Sequence, residues 1–83
     1  MIGGILKVLS TIKKTIVEFV DVDEEKITSE TRFIEDLELN SYDFANIIGK
    51  LEEILDIEIP DRDLRDLETI GDVEEYLKKK LQE

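Results

Sequence analysis

The sequence predicts an all-α fold with three main helices, one short helix and a long first loop. Three observations lead there. Apolar residues recur at spacings of three and four in three separate stretches, which is the period of a helix and not of a strand. Helix-start signals stand at Asn40-Ser41 and at Thr69 with Asp72. No segment alternates with period two for long enough to build a sheet. Residues 55–59 come nearest and are too few.

The first helix is expected over residues 2–20. Ile2, Ile5, Leu9, Ile12, Ile16 and Phe19 stack on one side of it, with Lys13, Lys14 and Glu18 elsewhere on the wheel. Gly3 and Gly4 weaken its first turn, where fraying is expected. A connection over residues 21–40 follows. It is longer than an ordinary loop, and Ile27, Phe33, Leu37 and Leu39 punctuate it with apolar anchors. Those anchors predict a packed segment holding a short helical turn.

The second helix is expected over residues 41–55, with Phe44, Ile47, Ile48, Leu51, Ile54 and Leu55 as a wide inner stripe. Either Asn40 or Ser41 has the chemistry to cap it, and Asp43 in its first turn suits the positive end of the helix dipole. Pro60 closes an extended exit. Asp61 is then placed to cap a short helix over residues 62–67, with Leu64 and Leu67 three apart. The last helix runs from Ile70 to Leu81, with Ile70, Val73, Leu77 and Leu81 inside and Tyr76 beside them. Lys78, Lys79 and Lys80 lie at its C-terminal end, where cations are favoured.

Size and composition narrow the function. The 83 residues suffice for a single domain, 1–83. A chain this small buries only roughly 60–65% of its unfolded surface, so each inward apolar residue counts. With no cysteine and no histidine, there is no disulfide, thiolate metal site, cysteine nucleophile or imidazole base. The chain is read as not an enzyme. The net charge of −11 opposes nucleic acid and anionic lipid, and it favours basic protein partners. That charge is uneven. Residues 1–20 hold Glu18 against Lys7, Lys13 and Lys14, whereas residues 36–58 hold seven acids against Lys50. The contrast predicts an acidic docking surface in the middle of the chain. No secretory cleavage site, myristoylation glycine or membrane-spanning run is present. A cytoplasmic monomer is expected.

Several sites fail on their spacing. Asp21, Asp23 and Glu25 begin a calcium-loop pattern, but Lys26 and Arg32 stand where glycine and a bidentate acid are needed. No specific metal site is expected, only loose divalent binding to clustered acids. No pair of carboxylates is set for acid–base work, and Gly3-Gly4 lacks a phosphate-loop signature. Ser41 carries two readings. It is either a helix-capping serine or a hydroxyl held at the surface for another enzyme to modify. A phosphodiester there would meet unpaired amides and the positive helix end. With no base beside it, Ser41 would be a substrate and not a nucleophile in its own right.

Residues 33–43 (Phe33-Ile34-Glu35-Asp36-Leu37-Glu38-Leu39-Asn40-Ser41-Tyr42-Asp43) resemble the modification motif of acyl carrier proteins. Residues 51–61 resemble the end and exit of that family's second helix. Thr69-Ile70-Gly71-Asp72-Val73 resembles the start of its last helix. The likeness runs without a gap from about Leu9 to Leu81. It implies a four-helix bundle of acyl-carrier type. It also implies 4'-phosphopantetheine on Ser41, added from coenzyme A by a magnesium-dependent phosphopantetheinyl transferase, with acyl groups held as thioesters on the arm. The same resemblance implies docking to basic-surfaced acyl-transferring or synthase enzymes of fatty acid, polyketide or related biosynthesis. Asp36, Asn40, Tyr42, Asp43, Glu52 and Glu53 would meet those partners, and Leu51 and Ile59 would line the acyl pocket. The family usually reads Asp-Ser-Leu where this chain has Asn40-Ser41-Tyr42. Glu38 and Leu39 replace the usual glycine and alanine, and Asn46 replaces a common acid. Those departures fit a specialised carrier. They also keep open an unmodified acidic interaction module of the same fold.

Overall fold

The computed structural model describes residues 2–82, with side-chain surroundings from Val8 to Leu81. Four helices appear in order: α1 (Ile2–Phe19), α2 (Ser41–Leu55), α3 (Asp61–Leu64) and α4 (Ile70–Gln82). A single 3-10 turn, Glu24–Lys26, interrupts the long loop, as its anchors predicted. The result is the expected four-helix bundle. α1 packs against both α2 and α4.

Amphipathic periodicity makes the helices, and burial of one side of each makes the core. On α1 the buried residues are Val8, Ile12, Thr15 and Ile16. Thr15 satisfies its hydroxyl by donating to the Thr11 carbonyl at 2.8 Å. Ile2 and Ile5 fall outside the residues whose side chains are described, although the backbone is helical through Gly3 and Gly4. α2 buries Ile47, Ile48 and Leu51, and α4 buries Ile70, Val73 and Leu77.

Three residues expected inside lie outside. Phe19 is 43% exposed, Ile54 49% and Leu81 42%. The cause is common to them. Spacing fixes an angle around a helix axis, but not how far along that axis the neighbours extend. Phe19 and Leu81 lie in the last turns of their helices, and Ile54 stands at the edge of the α2 stripe in its final turn.

The loop is anchored by buried side chains and is sewn down at its middle. Ile27, Phe33 and Leu39 are buried, and Leu37 is half-buried. The Ile70 amide donates to the Thr31 carbonyl at 2.9 Å, and the Phe33 amide to the Glu68 carbonyl at 3.1 Å. These bonds pair Arg32 with Thr69 in one antiparallel bridge, which fastens the loop to the start of α4. Thr69 and Asp72 form the expected reciprocal cap. The Asp72 amide donates to Thr69 Oγ1, and the Thr69 and Glu68 amides donate to Asp72 Oδ2. Those amides hold the Asp72 carboxyl below the usual carboxylate range.

The short helix differs from expectation in its start. Asp61 is its first residue and not its cap. Pro60 occupies the flanking position, extended at ψ 148°, with no side-chain bond. Its ring already fixes φ at −62°, so the backbone enters the helix without a capping carboxylate. Two further turn bonds, from Asp66 to Asp63 and from Leu67 to Leu64, continue the coil past Leu64.

Candidate functional site

Ser41 opens α2 and is exposed. Asn40 is the cap. Its Oδ1 accepts from the Asp43 amide at 2.7 Å, and its own backbone is extended. This resolves the two capping alternatives. Because Asn40 does the capping, the Ser41 hydroxyl takes no hydrogen bond among the described residues. The Ser41 and Tyr42 amides likewise have no acceptor among them. A free hydroxyl therefore stands beside unpaired N–H groups at a helix N-terminus, where a phosphodiester is favoured.

The loop holds this corner in place. Phe33 is fully buried and meets the half-buried Phe44 edge to face, with ring centroids 4.9 Å apart and planes at 61°. The Leu39 amide donates to the Phe33 carbonyl at 3.2 Å. Glu38, one residue earlier, sits at φ 55°. That left-handed turn swings the chain from the loop into α2, in a conformation that glycine adopts at less cost than glutamate.

A cavity of about 370 Å³ opens beside Ser41. Ser41 forms part of its wall. Ile34, Phe44, Leu64 and Leu67 supply apolar lining, and Arg32, Glu35, Arg65 and Glu68 supply charge. The Arg32 guanidinium is bound to the Glu35 carboxylate at 2.5 Å. That bond, helped by the fields of Glu68 and Asp36, raises the pKa of Arg32 further above its ordinary value. Among the described residues, Arg65 forms no ion pair within 4.0 Å. Sequence reasoning missed this cavity. Only the Leu64–Leu67 spacing hinted at an apolar wall, and nothing local marked Arg32 or Arg65 as its neighbours.

The remaining site residues are scattered in environment. Leu51 and Ile59 are buried in the core, 0% and 6% exposed, and neither lines the open cavity. Tyr42 is 74% exposed. Glu53 is exposed and Asp43 half-buried. Asp36 accepts from the Arg32 amide at 2.8 Å. Glu52 accepts from the Ile59 amide at 2.8 Å and so ties α2 to its exit. Both acids thus serve the fold with one oxygen. Among the described residues, no cluster of three or more Asp or Glu is set to hold a metal ion. No described helix is long and apolar enough to cross a membrane.

The comparisons with known proteins agree with this geometry. A family model described as a phosphopantetheine attachment site matches residues 10–77. An acyl carrier protein of Bdellovibrio bacteriovorus is 44% identical over 69 residues, which is 83% of this chain and 88% of that protein. One from Clostridium perfringens is 44% identical over 66 residues, 80% and 87% of the two chains. One from Phenylobacterium zucineum is 36% identical over 74 residues, 89% and 94%. The likeness covers the whole frame that presents Ser41, from α1 through the long loop to α4, and on that ground the chain belongs to the acyl carrier protein family, whose members are non-catalytic carriers.

Proposed function

We propose that Ser41 carries 4'-phosphopantetheine and that the protein presents acyl thioesters on that arm to enzymes of fatty acid, polyketide or related biosynthesis. The observation that supports this most is the division of labour at the head of α2. Asn40 caps the helix, and the Ser41 hydroxyl is left exposed and unbonded. A serine needed as a cap would be engaged.

In the loading step Ser41 Oγ forms a bond to phosphorus while the pyrophosphate linkage of coenzyme A breaks and the adenosine bisphosphate leaves. The hydroxyl proton passes to a base of the transferase, because among the described residues no side chain of this chain is hydrogen-bonded to Ser41 to take it. Once attached, the arm supplies the thiol that the chain lacks. The residues of this chain position the arm through the helix end and hold the surface that partners grip.

Asp36, Asn40, Tyr42, Asp43 and Glu53, with the outer oxygen of Glu52, make up the proposed docking surface. Its charge suits basic-surfaced transferases and synthases. Leu51 and Ile59 would shelter an acyl chain only if α2 and its exit separate, since both are closed off in the core. The reading takes residues 1–83 as one carrier domain that works as a cytoplasmic monomer.

Intact-mass measurement after incubation with coenzyme A and a broad-specificity phosphopantetheinyl transferase tests the proposal. A single arm's mass is expected on the native chain and none on Ser41→Ala. No gain on the native chain, or a gain that survives the substitution, overturns it. The first of those results, together with salt-sensitive binding of a basic protein, would favour the unmodified interaction module.

A further inference from the structure

The cavity beside Ser41 combines features that match one stretch of the arm. Ser41 stands on its wall, so whatever is attached to Oγ begins there. Its volume of about 370 Å³ falls within the range of small-molecule sites, roughly 300–1,000 Å³. Its lining is half apolar and half charged. The chain has only three arginines, Arg32, Arg62 and Arg65, and two of them line this one cavity.

The charges divide unequally. Arg32 is held by Glu35 at 2.5 Å, with Glu68 and Asp36 also favouring its charged form. Arg65 is the cation of the wall that has no ion partner among the described residues. In a chain of net charge −11, a new phosphodiester adds to self-repulsion unless a cation lies close. A guanidinium suits two phosphate oxygens better than an ammonium does, because its planar fork binds both at once. The arm has the matching order of groups. Its phosphate is followed by one methylene, then by a carbon bearing two methyls, and only then by the hydroxyl and the amides.

We propose that the cavity seats the near end of the Ser41-borne arm, with the Arg65 guanidinium pairing to the phosphodiester and the dimethyl carbon packing on Phe44 and Leu64. This rests on the modification of Ser41 proposed above. It makes the resting carrier one whose arm is folded at its root, with the thiol-bearing end outside and free to reach partners.

The test uses the full chain loaded from coenzyme A labelled with carbon-13 in the arm, with intact mass read first on the same sample. Nuclear Overhauser contacts are expected from the two arm methyls to the Phe44 ring and the Leu64 methyls. The loaded form should melt at a higher temperature than the unloaded form. Arg65→Gln should gain the same mass yet lose those contacts and most of the melting shift, and Arg65→Lys should restore part of both. A complete mass gain with arm signals as sharp as those of free pantetheine overturns this inference alone. So do contacts to Phe44 made by the thiol end in place of the methyls. No mass gain at all overturns the modification itself, and this inference with it.

Discussion

The Gly71 amide donates to the Ser29 carbonyl at 2.8 Å, and a Cβ on Gly71 would stand 2.9 Å from that same oxygen. The start of α4 and the long loop are therefore in backbone contact, closer than any side chain allows. Together with the Arg32–Thr69 bridge, this contact keeps the loop, and with it the head of α2, in register with the last helix.

Gly49 and Gly71, in α2 and α4, should respond oppositely to alanine. Gly71→Ala forces the loop off α4 and should cost about 1–3 kcal/mol, as overpacking does. Gly49 lies on the exposed side of α2, and a Cβ there meets nothing within 4 Å. Gly49→Ala should therefore stabilise the fold by about 0.5–1 kcal/mol through helix propensity alone. Urea melts of both variants against the native chain check the signs.

Among the described residues, two other than glycine hold left-handed backbone, Glu38 at φ 55° and Asp56 at φ 54°. Asp56 closes α2, where its amide and that of Ile57 both reach the Glu52 carbonyl. Aspartate tolerates this conformation better than glutamate, whose longer side chain gives no comparable local support. Glu38→Gly should raise stability by about 1 kcal/mol and Asp56→Gly by less. Equal melting shifts in the two variants would contradict this account.

The second helix supplies a direct contrast between facing in and facing out. Leu51 is fully buried and Ile54 is 49% exposed. Leu51→Ala should cost about 2–5 kcal/mol, a large share of what a domain this small has. Ile54→Ala should stay within about 1 kcal/mol. Denaturant midpoints at constant slope give both values.

At high pH the tie between α3 and α4 should fail. The Tyr76 hydroxyl donates to Asp63 Oδ2 at 2.5 Å. Partial burial first, and then the Asp63 carboxylate, push its pKa up to about 12 from an ordinary value of 10.0. The folded chain thus holds this proton more tightly than the unfolded chain. The stability it contributes is complete below about pH 10 and fades as the pH rises through about 12. Tyr76→Phe should remove that dependence and cost about 1 kcal/mol near neutrality, since the bond is partly exposed. The tyrosinate absorbance of a Tyr42→Phe background, which leaves Tyr76 as the sole tyrosine, reads the titration directly.

Near neighbours in the chain were enough to specify the three long helices, the packed loop with its buried Ile27, Phe33 and Leu39, the Thr69–Asp72 cap and the position of Ser41 at a helix start. All of these are set by neighbours a few residues apart, and period and capping chemistry report such neighbours faithfully. Packing between elements chose which turns of each stripe found a partner, and so left Phe19, Ile54 and Leu81 outside. It also brought Arg32 and Arg65, 33 positions apart in the chain, to line one cavity with Ser41. Those outcomes depend on how far packed elements extend and where a loop is fastened, and no local spacing carries that information.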